Sequence, residues 1–221
     1  MGIDDHGRSK QKLVRTLTGH AHRINTLALN CDYLLRTGAY ELTKVKAQGA
    51  NGGDLSPEEA QQVALQRYQA LIGPEGERLV SGSDDFTLFL WKPQEDKHSI
   101  TRMTGHQGII NHIMFSPDAR YIASASFDKK IKLWCGKTGR FLATYNGHVN
   151  AIYQVSWSPD SAFIASASKD STIKVWTLKD LKKAMFTLAG HADEVYTLDW
   201  APNGVSLASG SKDRLIKIWH H

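Results

Sequence analysis

A unit of about 43 residues recurs along this 221-residue chain, and it constrains the fold more than any other feature. Gly-His pairs stand at Gly19-His20, Gly105-His106, Gly147-His148 and Gly190-His191, the last three 42 and 43 residues apart. Trp134, Trp176 and Trp219 each follow their His by 28 residues, and Asp128, Asp170 and Asp213 each precede their Trp by six. Asp85 and Trp91 keep that last spacing. Pro117, Pro159 and Pro202 repeat in phase, two residues behind Phe115, Trp157 and Trp200. Within a unit, Ile109 to Phe115, Tyr121 to Ser126, Lys130 to Trp134 and Phe141 to Tyr145 are short, rich in β-branched and aromatic residues, and separated by Pro, Asp and Gly. This pattern predicts four antiparallel strands per unit.

Composition adds exclusions. At 41% hydrophobic and 22% charged, the chain is neither disordered nor a coiled coil. No run approaches the ~20 apolar residues of a membrane helix, and the N-terminus lacks a signal-peptide profile, so no membrane partner is expected and the chain reads as soluble and intracellular. Two cysteines, Cys31 and Cys135, supply neither a disulfide framework nor a zinc site, and a reducing compartment fits. Twenty-seven Lys and Arg against 22 Asp and Glu leave a net charge of +5, which favours acidic partners without naming one.

One unit breaks the period. From His20 to Trp91 is 71 residues where 28 is the rule. Ile24 to Leu29 reads as an inner strand and Tyr33 to Tyr40 as its neighbour, followed by a flexible polar stretch, Gly49 to Gly53. Ser56-Pro57-Glu58-Glu59 then has the form of a helix start, with Ser as N-cap and Glu at the capping-box position. Ala60, Val63, Ala64, Tyr68 and Leu71 follow at three-and-four spacing, and Gly73-Pro74 ends the helix. Arg78 to Ser83 either duplicates or replaces the strand Tyr33 to Tyr40, and both readings stay open. So do two roles for the helix: packing on the sheet edge, or docking a partner.

The Gly-His pairs, the turns Ser81-Gly82-Ser83-Asp84-Asp85, Ser124-Ala125-Ser126-Phe127-Asp128, Ser166-Ala167-Ser168-Lys169-Asp170 and Ser209-Gly210-Ser211-Lys212-Asp213, and the closing Trp resemble the WD40 family. The Asp that follows Trp in the family signature is replaced by Lys92, Cys135, Thr177 and His220. The expected fold is all-β, a partial WD40 β-propeller of about four blades with one inserted helix. Residues 1–19 are expected to hold the outer strand of a preceding blade, 20–103 a blade with its insertion at about 42–77, 104–145 and 146–188 two regular blades, and 189–221 a last blade of three strands. The resemblance implies a structural hydrogen-bond network of His20, Asp85 and Trp91; His106, Asp128 and Trp134; His148, Asp170 and Trp176; and His191, Asp213 and Trp219. An Asp, a His and a Ser per unit also suit a hydrolytic triad. Four equivalent copies argue against one asymmetric active site, so no residue is assigned as catalytic. Trp157 and Trp200 are read as core. His6, His22, His98 and His112 show no ligand spacing, and neither a metal nor a cofactor is expected.

Several further segments narrow the resemblance: Thr18-Gly19-His20, Asn25 to Leu29, Leu35 to Ala39, Glu59-Ala60-Gln61, Arg67-Tyr68, Arg78 to Thr87, Arg102 to His106 and Gly190 to Tyr196. These residues are similar to the Notchless family, nearly end to end. That resemblance implies a non-enzymatic scaffold in biogenesis of the large (60S) ribosomal subunit. It implies binding to proteins and ribosomal RNA of the pre-60S particle in the nucleolus and nucleus, and a link to Notch signalling. An adaptor for short peptide motifs is the alternative. Members of the family carry an N-terminal ubiquitin-like domain, pulled by the midasin AAA+ ATPase, and eight blades; this chain shows neither that domain nor the first half of the ring, so the ATPase is not expected as a partner. Partner contacts are expected on the rim carrying the Gly-His pairs and Asp turns, at Arg23, Lys129, Lys130, Tyr153, Lys169, Tyr196, Lys212 and Arg214, against the acidic Asp84, Asp193 and Glu194. Leu13 to Leu17 reads as an outer strand lacking its blade. Two readings follow: a fragment of a longer protein, or a homodimer in which two chains complete one eight-bladed ring.

Overall fold

The computed structural model describes residues 13–37, 56–181 and 183–220. Among these residues, fifteen strands form four antiparallel sheets, three of four strands and one of three. The first blade is β1 (Ile24–Leu29), β2 (Leu79–Ser83), β3 (Leu88–Trp91) and β4 (Ser99–Met103). The second is β5 (Ile110–Phe115), β6 (Tyr121–Ser126), β7 (Lys130–Cys135) and β8 (Phe141–Asn146). The third is β9 (Ile152–Trp157), β10 (Phe163–Ser168), β11 (Thr172–Thr177) and β12 (Phe186–Ala189). The fourth is β13 (Val195–Trp200), β14 (Ser206–Ser211) and β15 (Ile216–His220). Each strand pairs with its sequence neighbour, as short turns between antiparallel strands require.

The blades stack face to face, and residue size decides how closely. The second strands read Tyr-Ile-Ala-Ser-Ala-Ser and Phe-Ile-Ala-Ser-Ala-Ser, and their small residues are buried. Large residues of adjacent strands fill the remaining space: Ala123, Ala125, Ile131, Leu133 and Tyr145 of the second blade pack on Ile152, Val155, Trp157 and Trp176 of the third. The same seam recurs as Val80, Leu88 and Leu90 on Ile110, Ile113 and Trp134, and as Ala165, Ala167 and Ile173 on Val195, Leu198 and Leu207. Full burial of each such aliphatic side chain is worth roughly 1.5–3 kcal/mol. Polar bonds between inner strands add direction: Asn25 Nδ2 donates to the Ile110 carbonyl (3.1 Å), Asn111 Nδ2 to that of Tyr153 (2.7 Å), and the Leu198 N–H to Gln154 Oε1 (3.1 Å).

The insertion in the first blade departs from expectation in one respect. Tyr33 to Thr37 does not run beside β1 as a strand but belongs to a short helix, α1 (Asp32–Thr37), and β2 takes the place beside β1. Asp32 accepts the Leu29 N–H at 2.8 Å, turning the chain as it leaves β1. Asn30 then pairs with Arg78, its N–H donating to the Arg78 carbonyl (3.0 Å) and its Oδ1 accepting the Arg78 N–H (2.9 Å), which fixes β2 on β1. Cys31 and Leu34 are buried while the consecutive Leu35 and Arg36 are both exposed, the three-residue spacing of a helix face rather than the alternation of a strand. Residues 38–40 and the polar stretch Gly49 to Gly53 lie outside the described residues. The second helix, α2 (Pro57–Ile72), has the capping box: the Glu59 N–H donates to Ser56 Oγ (3.2 Å) and the Ser56 N–H to Glu59 Oε2 (2.9 Å). Because the insertion joins a first strand to a second, it emerges at the same end of the blades as the Pro117 and Pro159 turns. There α1 and α2 share with them a groove of about 490 Å³.

Leu13 to Leu17, expected as an outer strand, has no regular secondary structure and pairs with no strand among the described residues. Trp157 is core, whereas Trp200, also expected there, is half-buried in the less completely covered last blade, with its Nε1 donating to the Gly204 carbonyl (3.1 Å). No described helix is long and apolar enough to cross a membrane.

Gly82 lies in a tight seam between the first and second blades. A Cβ there would lie 2.5 Å from Ile113 Cδ1 and 2.7 Å from Ile110 Cγ2. Gly82→Ala is expected to lower stability by about 1–3 kcal/mol, read as a shift in the urea unfolding midpoint.

Candidate functional site

At the end of the blades opposite the insertion, every blade repeats one polar chain. His Nδ1 meets Asp Oδ2 at 2.9, 2.7, 2.8 and 2.8 Å in His20–Asp85, His106–Asp128, His148–Asp170 and His191–Asp213. His Nε2 meets Ser81, Ser124, Ser166 and Ser209 Oγ at 2.8, 2.8, 2.7 and 2.8 Å. The indole Nε1–H of Trp91, Trp134, Trp176 and Trp219 donates to the same oxygens at 2.9, 2.9, 2.8 and 2.8 Å. Indole is donor-only and carboxylate acceptor-only, so a neutral imidazole in this chain has one direction: Trp N–H to Ser, Ser O–H to His Nε2, His Nδ1–H to Asp.

Each Asp does more. Its Oδ2 accepts the N–H after the His, at 2.9 Å for Ala21 and 3.0 Å for Gln107, Val149 and Ala192. Its Oδ1 accepts the N–H two residues on, at 2.9, 3.0, 3.0 and 2.9 Å for Thr87, Lys130, Thr172 and Leu215. The residue between is left-handed in every blade: Phe86, Lys129, Ser171 and Arg214 have φ of 66°, 71°, 67° and 69°. For a residue with a Cβ this costs about 1–2 kcal/mol, offset here by the carboxylate bonds. Burial alone would raise the Asp85 and Asp213 carboxyls, but the hydrogen bonds from Thr87, Ala21 and His20, and from His191, Ala192 and Leu215, outweigh it and hold each at about 2. Asp128 and Asp170 are lowered in the same way. Burial pushes His106 below the ordinary imidazole value despite the Asp128 carboxylate beside it.

The arrangement contains Ser, His and Asp in triad order, yet Ser81, Ser124, Ser166 and Ser209 are buried. Each hydroxyl oxygen already accepts the indole proton, and no substrate carbonyl can approach it. What the chain achieves is mechanical, tying the loop ahead of the first strand, the second strand and the third strand into one unit.

The rim above it is the surface available for contact. Phe127, Tyr153 and Tyr196 form a row across three blades, with ring centroids 5.9 Å apart for Phe127–Tyr153 and 5.1 Å for Tyr153–Tyr196. Glu194 lies at its centre: Tyr153 Oη donates to its carboxylate (2.7 Å), Lys212 Nζ stands at 3.5 Å and Lys169 Nζ at 3.9 Å. The tyrosine bond and the two ammonium groups lower the Glu194 carboxyl. Asp193 and Glu194 in turn raise Lys212. Arg23 is bonded to Asp84. Three of the six expected cations, Arg23, Lys169 and Lys212, are therefore neutralised locally. Lys129, Lys130 and Arg214 form no ion pair among the described residues, and Lys129 and Arg214 stand exposed at the left-handed turn apices. Phe127 was not among the expected contact residues; its signal was an aromatic at the exposed turn position that Asp84, Lys169 and Lys212 fill in the other units.

Among the histidines outside the Gly-His pairs, His22 lies 3.4 Å from Asp84 and His98 2.9 Å from Asp96. His112 is pushed down to about 4 by burial and by Arg36, and His6 lies outside the described residues.

This architecture has a family counterpart. The sequence matches the family described as WD domain, G-beta repeat over residues 68–92, 97–135, 139–177 and 182–220, well over half of the chain. The chain belongs to the WD40-repeat family. Within it, ribosome assembly protein 4 of Saccharomyces cerevisiae is 46% identical over 140 residues, 62% of this chain and 26% of the yeast protein. The Notchless protein homolog of Arabidopsis thaliana is 53% identical over 94 residues (42% of this chain, 20% of that protein). Protein Notchless of Drosophila melanogaster is 52% identical over 108 residues (49% and 22%). The resemblance to the Notchless family holds, and this WD40 chain aligns with about a fifth to a quarter of the length of each relative.

Two expectations follow for the WD40 polar chain. Ser166→Ala removes the shared oxygen and leaves the Trp176 N–H and His148 Nε2 buried without a partner, so stability should fall by roughly 1–3 kcal/mol in urea unfolding. Acid should act on the same groups. With Asp85 and Asp213 held at about 2 against about 3.9 when unfolded, the unfolded chain takes up protons first as pH falls. Their contribution is whole above about pH 4 and lost towards pH 2, and depressed His106 works in the same direction from about pH 6.5 downward. Melting temperature should fall from pH 7 to 5 and again, more steeply, from 5 to 3.

Proposed function

We propose that this chain is a non-enzymatic scaffold in biogenesis of the large ribosomal subunit, acting in the nucleolus and nucleus, with its rim against RNA and assembly proteins of the pre-60S particle. The observation that carries this reading is the rim itself: an aromatic row, Phe127–Tyr153–Tyr196, bordered by Lys129, Lys130 and Arg214, which form no ion pair among the described residues. Cations at fixed turn apices suit phosphates, and ring faces beside them suit unstacked bases. The identity to ribosome assembly protein 4 supports the same reading, and the Drosophila relative's name supports a link to Notch signalling. A rigid rim with its polar machinery sealed beneath it offers positioning rather than a reacting group.

Sucrose-gradient fractionation of cell extract tests this. The chain should migrate with pre-60S particles and shift to lighter fractions after RNase treatment. The triple variant Lys129→Glu, Lys130→Glu, Arg214→Glu should leave the particles at a lower salt concentration than wild type, each lost phosphate contact lowering the slope of log affinity against log salt by about 0.7–0.9. Migration only at the top of the gradient, with selective retention on short peptides, would replace this reading by the adaptor one.

A further inference from the structure

One acid on the rim holds three donors. The residue ahead of each inner strand is Arg23, Ile109, Ala151 or Glu194, and its carbonyl accepts the N–H of Asp84, Phe127, Lys169 or Lys212 at 3.1, 2.9, 2.9 and 2.9 Å, so the four pairs are equivalent. Two of them are charged on both sides, in opposite sense: Arg23 with Asp84 in the first blade, and Glu194 with Lys212 (3.5 Å) in the fourth. Lys169 stands opposite Ala151 and reaches instead to Glu194 of the next blade (3.9 Å).

Glu194 therefore serves groups from three separate elements. Its Oε1 faces Lys169, in the turn between β10 and β11, and Lys212, in the turn between β14 and β15, while its Oε2 accepts the O–H of Tyr153 on β9 (2.7 Å). Burial and the carboxylate both raise the Tyr153 phenol, which keeps it a donor. Two cations and a neutral donor converging on one pair of terminal oxygens suit a phosphodiester, whose two non-bridging oxygens share one charge as a carboxylate's do. The site is open to solvent: the Lys169 and Lys212 side chains are 46% and 52% exposed, and ion pairs of this exposed kind hold weakly. Tyr153 is also the middle ring of the aromatic row, so a phosphate bound here brings its flanking bases towards Phe127 and Tyr196.

We propose that Tyr153 Oη, Lys169 Nζ and Lys212 Nζ form a phosphodiester-binding site on the rim, that the Glu194 carboxylate fills it in the chain alone, and that an RNA phosphate takes its place. This rests on the reading of the rim as an RNA surface and adds a restraint to it. Glu194 must leave before Lys169 and Lys212 become available, so an isolated anion competes poorly, whereas a strand that also stacks on the aromatic row competes well. The acid lowers affinity, and what it selects for is phosphate joined to unstacked bases.

Fluorescence anisotropy of a labelled single-stranded oligouridylate, titrated with the full chain, reads this. Glu194→Ala should fold, verified by circular dichroism, because the third blade carries Ala151 at the equivalent position. It should bind the probe about tenfold more tightly than wild type at ~50 mM KCl, with a salt slope steeper by about 1.4 for the two lysines released, so that most of the gain is gone by ~200 mM. Adding Tyr153→Phe to Glu194→Ala changes no charge and should take back about threefold of the gain or more. Adding Lys169→Gln and Lys212→Gln instead should abolish it. If wild type binds through Lys129, Lys130 and Arg214 but Glu194→Ala binds no more tightly, the site is overturned and the RNA reading of the rim stands. A gain that survives Tyr153→Phe undiminished, or survives loss of both lysines, would be an effect of net charge and would overturn the site as well. If wild type and Glu194→Ala both fail to bind, the site and the RNA reading fall together.

Discussion

The structure depends on burying a carboxylate, an imidazole, a hydroxyl and an indole together. Any one alone would be a costly guest inside a small sheet, but in sequence each satisfies the next, and the chain has a single sense from indole to carboxylate. The Asp then uses its remaining lone pairs on backbone N–H groups, which holds a left-handed residue at each turn apex. Strand pairing, turn shape and the approach of the Gly-His loop are thereby settled by one set of bonds in each blade.

Stacking follows from size rather than polarity. The Ala-Ser-Ala-Ser strands bring neighbouring blades close enough for Ile, Leu and Trp from adjacent strands to meet, and Gly82 shows how little room remains. Fixed blades make a fixed rim. The row of Phe127, Tyr153 and Tyr196 and the cations at the turn apices are therefore presented without the ordering cost that a mobile loop would carry on binding.

Much of this is legible in the sequence because the repeat is legible. The spacing of Asp128, Asp170 and Asp213 to their tryptophans holds only if they occupy equivalent places, and the helix start at Ser56 follows from capping chemistry that is local. The segment after β1 is less transparent. Tyr33 to Thr37 has strand-compatible residues, and what makes it helical is the turn that Asp32 imposes and the pairing of Asn30 with Arg78, 48 positions away. Charge on the rim is likewise a matter of neighbours. Lys169 and Lys212 read as free cations until the fold brings both to Glu194, whereas Phe127 gains its place only through contact with Tyr153 from the next blade.

The Asn30–Arg78 pair has a consequence for how this blade tolerates change. Joined at the base, these two residues close the connection between the first and second strands before the first helix begins, so the pairing of those strands does not depend on the length of the connecting peptide. Doubling its length would cost only about 0.6 kcal/mol in closure entropy. The first blade can thus accept a foreign helix or epitope at that end while the opposite rim keeps its geometry.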